Sequence, residues 1–216
     1  MYYFLDDGRN AEKKNPPLML LTAEKLWFIL NMYSCLMWRQ LRRTSEEYKV
    51  NTIVSASILS ADLCRLGDEL DRAEKCGCDH IHFDVMDGVF VNNISYGIPV
   101  LASVRKHTKM FIDAHLMITD PIRYIDAFAD NGADMISFHL EAAPDPAAVI
   151  SAIKAKGKKA GIAIKPATPV SDVLPYAESA DMILIMTVEP GFGGQGFIYD
   201  TLDKIRELKA YLDSHS

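Results

Sequence analysis

His82 and Asp84 stand two residues apart in a β-forming run, His80 to Asp84, so in a strand both side chains leave the same face. His115 closes the next such run, Phe111 to His115, at the same level. Two imidazoles and a carboxylate converging on one point make a divalent-metal set suited to zinc, iron, manganese or cobalt. A lone histidine at a strand end is more simply a satisfied core or rim residue. Three ligand-type residues at matching strand ends favour the metal.

The run Val188 to Phe197 reads V-E-P-G-F-G-G-Q-G-F between a strand candidate and a helix candidate. Gly191, Gly193, Gly194 and Gly196 let backbone N–H groups approach an anion, and the following helix terminus adds positive potential, so a phosphate cradle is the functional reading. A glycine-rich loop alone is weak evidence, because a flexible connection has the same composition. Met86, Met117 and Met186 also fall at or just beyond strand ends. Each alone reads as core filler; as a set their polarisable sulfurs would cover a flat, electron-rich intermediate.

The elements that must position these groups alternate. Strand candidates run Ile53 to Ser57, His80 to Asp84, Phe111 to His115, Met135 to His139, Lys159 to Ile164 and Met182 to Met186. Helical candidates follow at Arg65 to Cys76, Gly97 to Lys106, Pro121 to Asn131, Asp145 to Lys156, Val170 to Ser179 and Tyr199 to Leu212. Such an α/β pattern suits an open doubly wound sheet or a closed eight-stranded barrel, and spacing alone does not choose. Ser57, His82, Asp84, His115 and His139 all sit at or near C-terminal strand ends, where barrel enzymes place their chemistry.

A formal net charge of −6 argues against nucleic acid as a principal partner and leaves a small anion open. Four unevenly spaced cysteines do not suggest a disulfide framework, so a reduced, cytoplasmic setting is expected. Cys76 and Cys78 lack a second pair at zinc-finger spacing and read as helix-end residues.

Residues 1–50 differ in texture and are expected to form an extension outside the barrel domain of residues 51–216. An apolar run from Leu26 to Trp38 is too short for a membrane span once Glu24 and Lys25 are met, and Arg39, Arg42 and Arg43 replace a cleavage site. A buried helix from Thr22 to Arg43 is expected instead.

Six segments, S-I-L-S-A-D from Ser57, H-F-D-V-M-D-G from His82, D-A-H-L-M from Asp113, F-H-L-E-A from Phe138, K-P-A-T-P from Lys165 and M-T-V-E-P-G-F-G-G-Q from Met186, resemble the ribulose-phosphate 3-epimerase family in order and spacing. The resemblance covers about residues 53–213. It implies a (β/α)8 TIM barrel of the ribulose-phosphate-binding type and interconversion of D-ribulose 5-phosphate and D-xylulose 5-phosphate in the pentose phosphate pathway. By the same resemblance His82, Asp84 and His115 bind one divalent ion, and Asp84 is also an acid/base. Ser57 and His115 contact substrate, Met86, Met117 and Met186 form a cap, and Gly191, Phe192, Gly193 and Gly194 bind its phosphate. Val89 and Asn92 stand where the family usually has His and Pro.

Ser216 follows the sixth helix, so the family's seventh strand, with a second aspartate serving as ligand and acid/base, and its eighth are expected to be missing. Poor epimerase activity or none is expected of the chain as it stands on that ground. The open sheet side should then be covered by the apolar helix or a second chain, and a homo-oligomer, most simply a dimer, is expected. The alternative from another class is an impaired barrel fragment acting as a binding or oligomer-partner protein. Related barrels that decarboxylate or condense sugar phosphates use D-x-K-x-x-D on the second strand, whereas Asp84 to Asp87 carries no lysine.

Overall fold

The computed structural model describes residues 4–6 and 53–215. The helix expected from Thr22 to Arg43 lies outside them. Among the described residues seven strands make one sheet: β1 (Phe4–Asp6), β2 (Ser55–Ser57), β3 (His80–Met86), β4 (Phe111–Met117), β5 (Met135–His139), β6 (Lys159–Ile164) and β7 (Met182–Ile185). Strands β2 to β7 adjoin in chain order and every neighbouring pair is parallel. A doubly wound sheet reverses its order at a switch point, and this one never does. Winding in one direction with alternating helices is the construction of a (β/α) barrel, of which these six strands form a part.

Helices α1 (Leu66–Lys75), α2 (Ile98–His107), α3 (Ile125–Asp130), α4 (Pro146–Ala155) and α5 (Thr201–Ser214) fall within about two residues of expectation, except that α3 is preceded by a 3-10 turn, Pro121–Tyr124. The crossover from β6 to β7 differs. The helix expected from Val170 to Ser179 is replaced by two 3-10 turns, Val170–Asp172 and Leu174–Tyr176. Pro175 brings no N–H and its ring crowds the preceding turn, which disfavours a continuous α-helix through it.

Period-two alternation divides the sheet. Ile81, Phe83, Ile112, Leu116, Ile136, Phe138, Ile162 and Ile183 join Leu70, Leu101, Ile153 and Leu208 of the helices in one buried core. The intervening residues turn to the inner face: His82, Asp84, Asp113, His115, Ser137 and His139 toward one side, Met135, Ala163, Met182, Leu184 and Met186 toward the other. Gly161 lies among them, and a Cβ there would come within 2.7 Å of the Ser137 Cβ and 2.6 Å of the Met182 Cε. A side chain at that position would force the inner face apart.

The N-terminal ends of the strands are tied by a repeated device. Asp79, Asp134 and Asp181 immediately precede β3, β5 and β7, and each carboxylate accepts the backbone N–H of Val54, Ile112 or Ala160 near the start of the preceding strand, at 2.9, 2.9 and 2.8 Å. Arg105 braces the middle pair, donating to the Asp134 carboxylate and to the Thr108 and Met110 carbonyls.

At the β7 edge, β1 pairs antiparallel, Phe4 opposite Leu184 and Asp6 opposite Met182. The sequence pattern predicts no strand there, since three residues show no readable period.

Candidate functional site

Strands β3 and β4 carry the ligand-type residues in register, with Asp84 opposite His115 and His82 opposite Asp113. Asp84 Oδ1 lies 3.3 Å from His82 Nε2 and 3.4 Å from His115 Nδ1, and the two imidazole nitrogens are 3.3 Å apart. All three side chains are fully buried. Their ligand atoms lie within 4.8 Å of one another, and they form the one such histidine, cysteine or acid group found among the described residues.

Neighbours decide which nitrogens face that point. Asp113 Oδ2 lies 2.6 Å from His82 Nδ1 and accepts its proton, so that in the neutral ring the lone pair is on Nε2. Ser137 Oγ donates to the other Asp113 oxygen at 3.4 Å. His115 Nε2 meets His139 Nε2 at 3.0 Å, and His139 Nδ1 meets Glu141 Oε2 at 3.2 Å. The Ser57 hydroxyl donates to Asp84 Oδ2 at 2.5 Å, which leaves Oδ1 for the centre. Three buried acceptors thus aim at one point, an arrangement that suits a divalent cation.

The titration behaviour follows from that crowding. Burial would lower the His82 pKa, but the Asp84 and Asp113 carboxylates outweigh it and push it up to about 9. Burial likewise opposes ionisation of Asp84, yet the charge of His82 and hydrogen bonds from His115 and His82 hold its carboxyl well below the usual range. His115 is lowered, chiefly by burial. Burial also pushes His139 down to about 4. Against its own burial, Glu141 is held at about 2 by hydrogen bonds from His139, the Thr168 hydroxyl and the Lys165 N–H.

Three loops close over this end. After β3, Asp87 accepts the N–H groups of Val89 and Phe90 with one oxygen and that of Thr119 with the other. The Asn93 side chain donates to the Gly191 carbonyl at 2.8 Å, joining this loop to the glycine-rich one. Val89, which departs from the family pattern, is exposed, and the bond it gives Asp87 comes from its backbone N–H, which any residue other than proline supplies. A Cβ on Gly193 would come within 2.9 Å of the Ser60 Oγ, so the loop after β2 packs against the same run. Gly191 and Gly194 have φ of 127° and 72°, backbone conformations that only glycine adopts without strain. Gln195 fastens the loop to itself through the Glu189 and Phe192 carbonyls. Phe192, Gly193 and Gly194 are left exposed.

Met86 and Met117 pack together with Val91, Leu59 and Phe90 above the ligand group. Met186 joins a different cluster, with Leu184, Ala163, Met182 and Met135. Asp113 and Glu141 orient the site but carry no role in the reading of spacing alone. Asp113 stands two residues before His115 and shares its strand face, a signal of the same kind as His82 with Asp84.

The model of the ribulose-phosphate 3 epimerase family matches residues 53–216. A ribulose-phosphate 3-epimerase of Bacillus subtilis (strain 168) is 49% identical over 160 residues, covering 74% of this chain and 74% of that protein. One of Synechocystis is 48% identical over 166 residues, with 76% and 72% covered. A cytoplasmic isoform from Oryza sativa subsp. japonica is 44% identical over 160 residues, with 72% and 70% covered. With most of its length matched by the family model and the strand-end residues gathered into one buried group, the chain belongs to the ribulose-phosphate 3-epimerase family.

Proposed function

We propose that this rim inverts C3 of ribulose 5-phosphate, interconverting it with xylulose 5-phosphate, with one divalent ion held by His82, Asp84 and His115. The observation that carries the reading is the convergence of three buried acceptors whose own partners turn their lone pairs inward. A zinc, iron, manganese or cobalt ion bound there supplies a Lewis acid that stabilises the negative charge developing on the ketone as the C3 proton leaves.

The chain's own residues do the rest. Asp84 is held ionised and accepts the C3 proton, while the Ser57 hydroxyl fixes its carboxylate. Phe192, Gly193 and Gly194 are exposed and, with Gly191, offer backbone to the phosphate, while Asn93 anchors the run to the rim and Ser60 packs close to it. Met86 and Met117 set an apolar cover over the flat intermediate, and Met186 extends the apolar inner face beside it. Inversion needs a second acid/base on the opposite face; within the ligand group of the described residues Asp84 is the carboxylate, and it is assigned one face.

The domain division at residue 51, a cytoplasmic setting and self-association complete the proposal. The uneven spacing of the four cysteines supports a reducing compartment, and no helix among the described residues is long and apolar enough to cross a membrane. Exposed Val89 and Ile94 on the loop after β3 support an apolar contact between copies.

Incubation with ribulose 5-phosphate and Mn²⁺ in heavy water tests the chemistry. Deuterium should enter C3, and Asp84→Asn should lower the rate about 10²- to 10⁴-fold. Equal exchange by Asp84→Asn and the unaltered chain overturns it.

A further inference from the structure

We propose that Glu141 and His139 are positioning residues of the metal centre, a relay that fixes the tautomer of His115 so that Nδ1 faces the ion. This rests on the metal reading given above. Glu141 reaches His139 from the 3-10 turn after β5, with its side chain still partly exposed, while His139 is fully buried between it and His115.

With His139 and His115 both neutral, as a metal-bound His115 must be, donors and acceptors leave one assignment. An ionised carboxylate only accepts, so His139 Nδ1 carries the proton it shares with Glu141 Oε2 at 3.2 Å. Neutral His139 then has its lone pair on Nε2, and the proton in the 3.0 Å contact belongs to His115 Nε2. His115 Nδ1 is left as an acceptor, 3.4 Å from Asp84 Oδ1 and 3.3 Å from His82 Nε2. In the opposite tautomer His115 would point an N–H at the cation. Asp113 sets His82 directly, whereas His115 is set through an intervening ring.

The far end of the relay is itself held. Glu141 Oε1 accepts the Lys165 N–H at 2.8 Å and the Thr168 hydroxyl, both from the loop after β6. Lys204 of α5 donates to the Lys165 and Pro166 carbonyls at 2.8 and 3.0 Å and holds that loop in place. The tautomer at β4 therefore depends on the K-P-A-T-P segment two strands away, a link that supplies a physical role for residues placed in the family pattern but remote from the ligands.

The test is Co²⁺ titration of the metal-stripped full chain, followed by the visible d–d absorption of the bound ion. Outer partners of metal-bound histidines are worth about 10- to 100-fold in affinity. His139→Phe and Glu141→Met should each weaken Co²⁺ binding by that factor and change the band shape. Glu141→Gln, whose carbonyl still accepts from His139, should restore most of both. The partly exposed Glu141 keeps the test open should His139→Phe fail to fold, as judged by far-ultraviolet circular dichroism. Failure of the unaltered chain to bind Co²⁺ removes the metal reading and the relay with it. Normal binding by the unaltered chain, with the same affinity and spectrum in His139→Phe and Glu141→Met, overturns the relay alone.

Discussion

Asp134 and Asp84 belong to the same sheet, one just before a strand and the other toward a strand's end, and they are used in opposite ways. Asp134, with 35% of its side chain exposed, accepts the Ile112 N–H and pairs with Arg105. Asp84 is fully buried, and its Oδ1 faces two imidazole nitrogens, 3.3 and 3.4 Å away. One end spends its carboxylates on strand register; the other gathers acceptors that satisfy one another only around a cation or a shared proton. That division matches the rule that the N-terminal face of a barrel serves stability and the C-terminal face chemistry.

Removing a carboxylate at the N-terminal end sharpens the contrast most. Asp134→Ala leaves the buried Ile112 N–H without its side-chain acceptor and Arg105 with only its carbonyl partners, and should cost about 1–3 kcal/mol of stability. Denaturant unfolding measures it, and turnover per folded chain should be unchanged. A large loss of turnover at full stability would erase the distinction between the ends.

A smaller effect separates them by pH. His82 in the metal-free fold is raised from 6.5 to about 9, so the folded chain binds a proton that the unfolded chain releases. Its stabilisation is complete below pH 6.5 and is lost as pH rises through about 9. His139 works the other way: lowered to about 4, it makes the unfolded chain the better proton binder between pH 4 and 6.5, so stability falls as pH drops through that window. The melting temperature of stripped protein should therefore decline from pH 6.5 to 9. A bound metal takes the place of the His82 proton and should flatten that decline; identical profiles with and without metal would count against it.

Much of this was legible in the sequence because period two is unambiguous in short buried strands. His82, Asp84 and His115 share a face for the same reason that Ile81, Phe83 and Ile112 share the other. Strand order is not written in local pattern, so spacing left barrel and doubly wound sheet open; the family resemblance chose the barrel, and the strand order agrees. The helix expected across Pro175 shows apolar composition outweighing a residue that should have ended it. The aspartate ties at 79, 134 and 181 repeat before alternate strands, but each stands alone in the sequence and gains meaning only beside the N–H it accepts. Glu141 was hidden differently, since its effect reaches the site through another ring.

The central claim is that the C-terminal rim holds one divalent ion on which epimerisation depends. Stripped protein is titrated with Mn²⁺ while bound metal and xylulose 5-phosphate formation are followed together, for the unaltered chain, His82→Ala and Asp134→Ala. The account predicts that turnover rises with the first bound equivalent, is lost with metal in His82→Ala, and survives in Asp134→Ala. Turnover indifferent to metal, or equal metal content in His82→Ala and the unaltered chain, would contradict it.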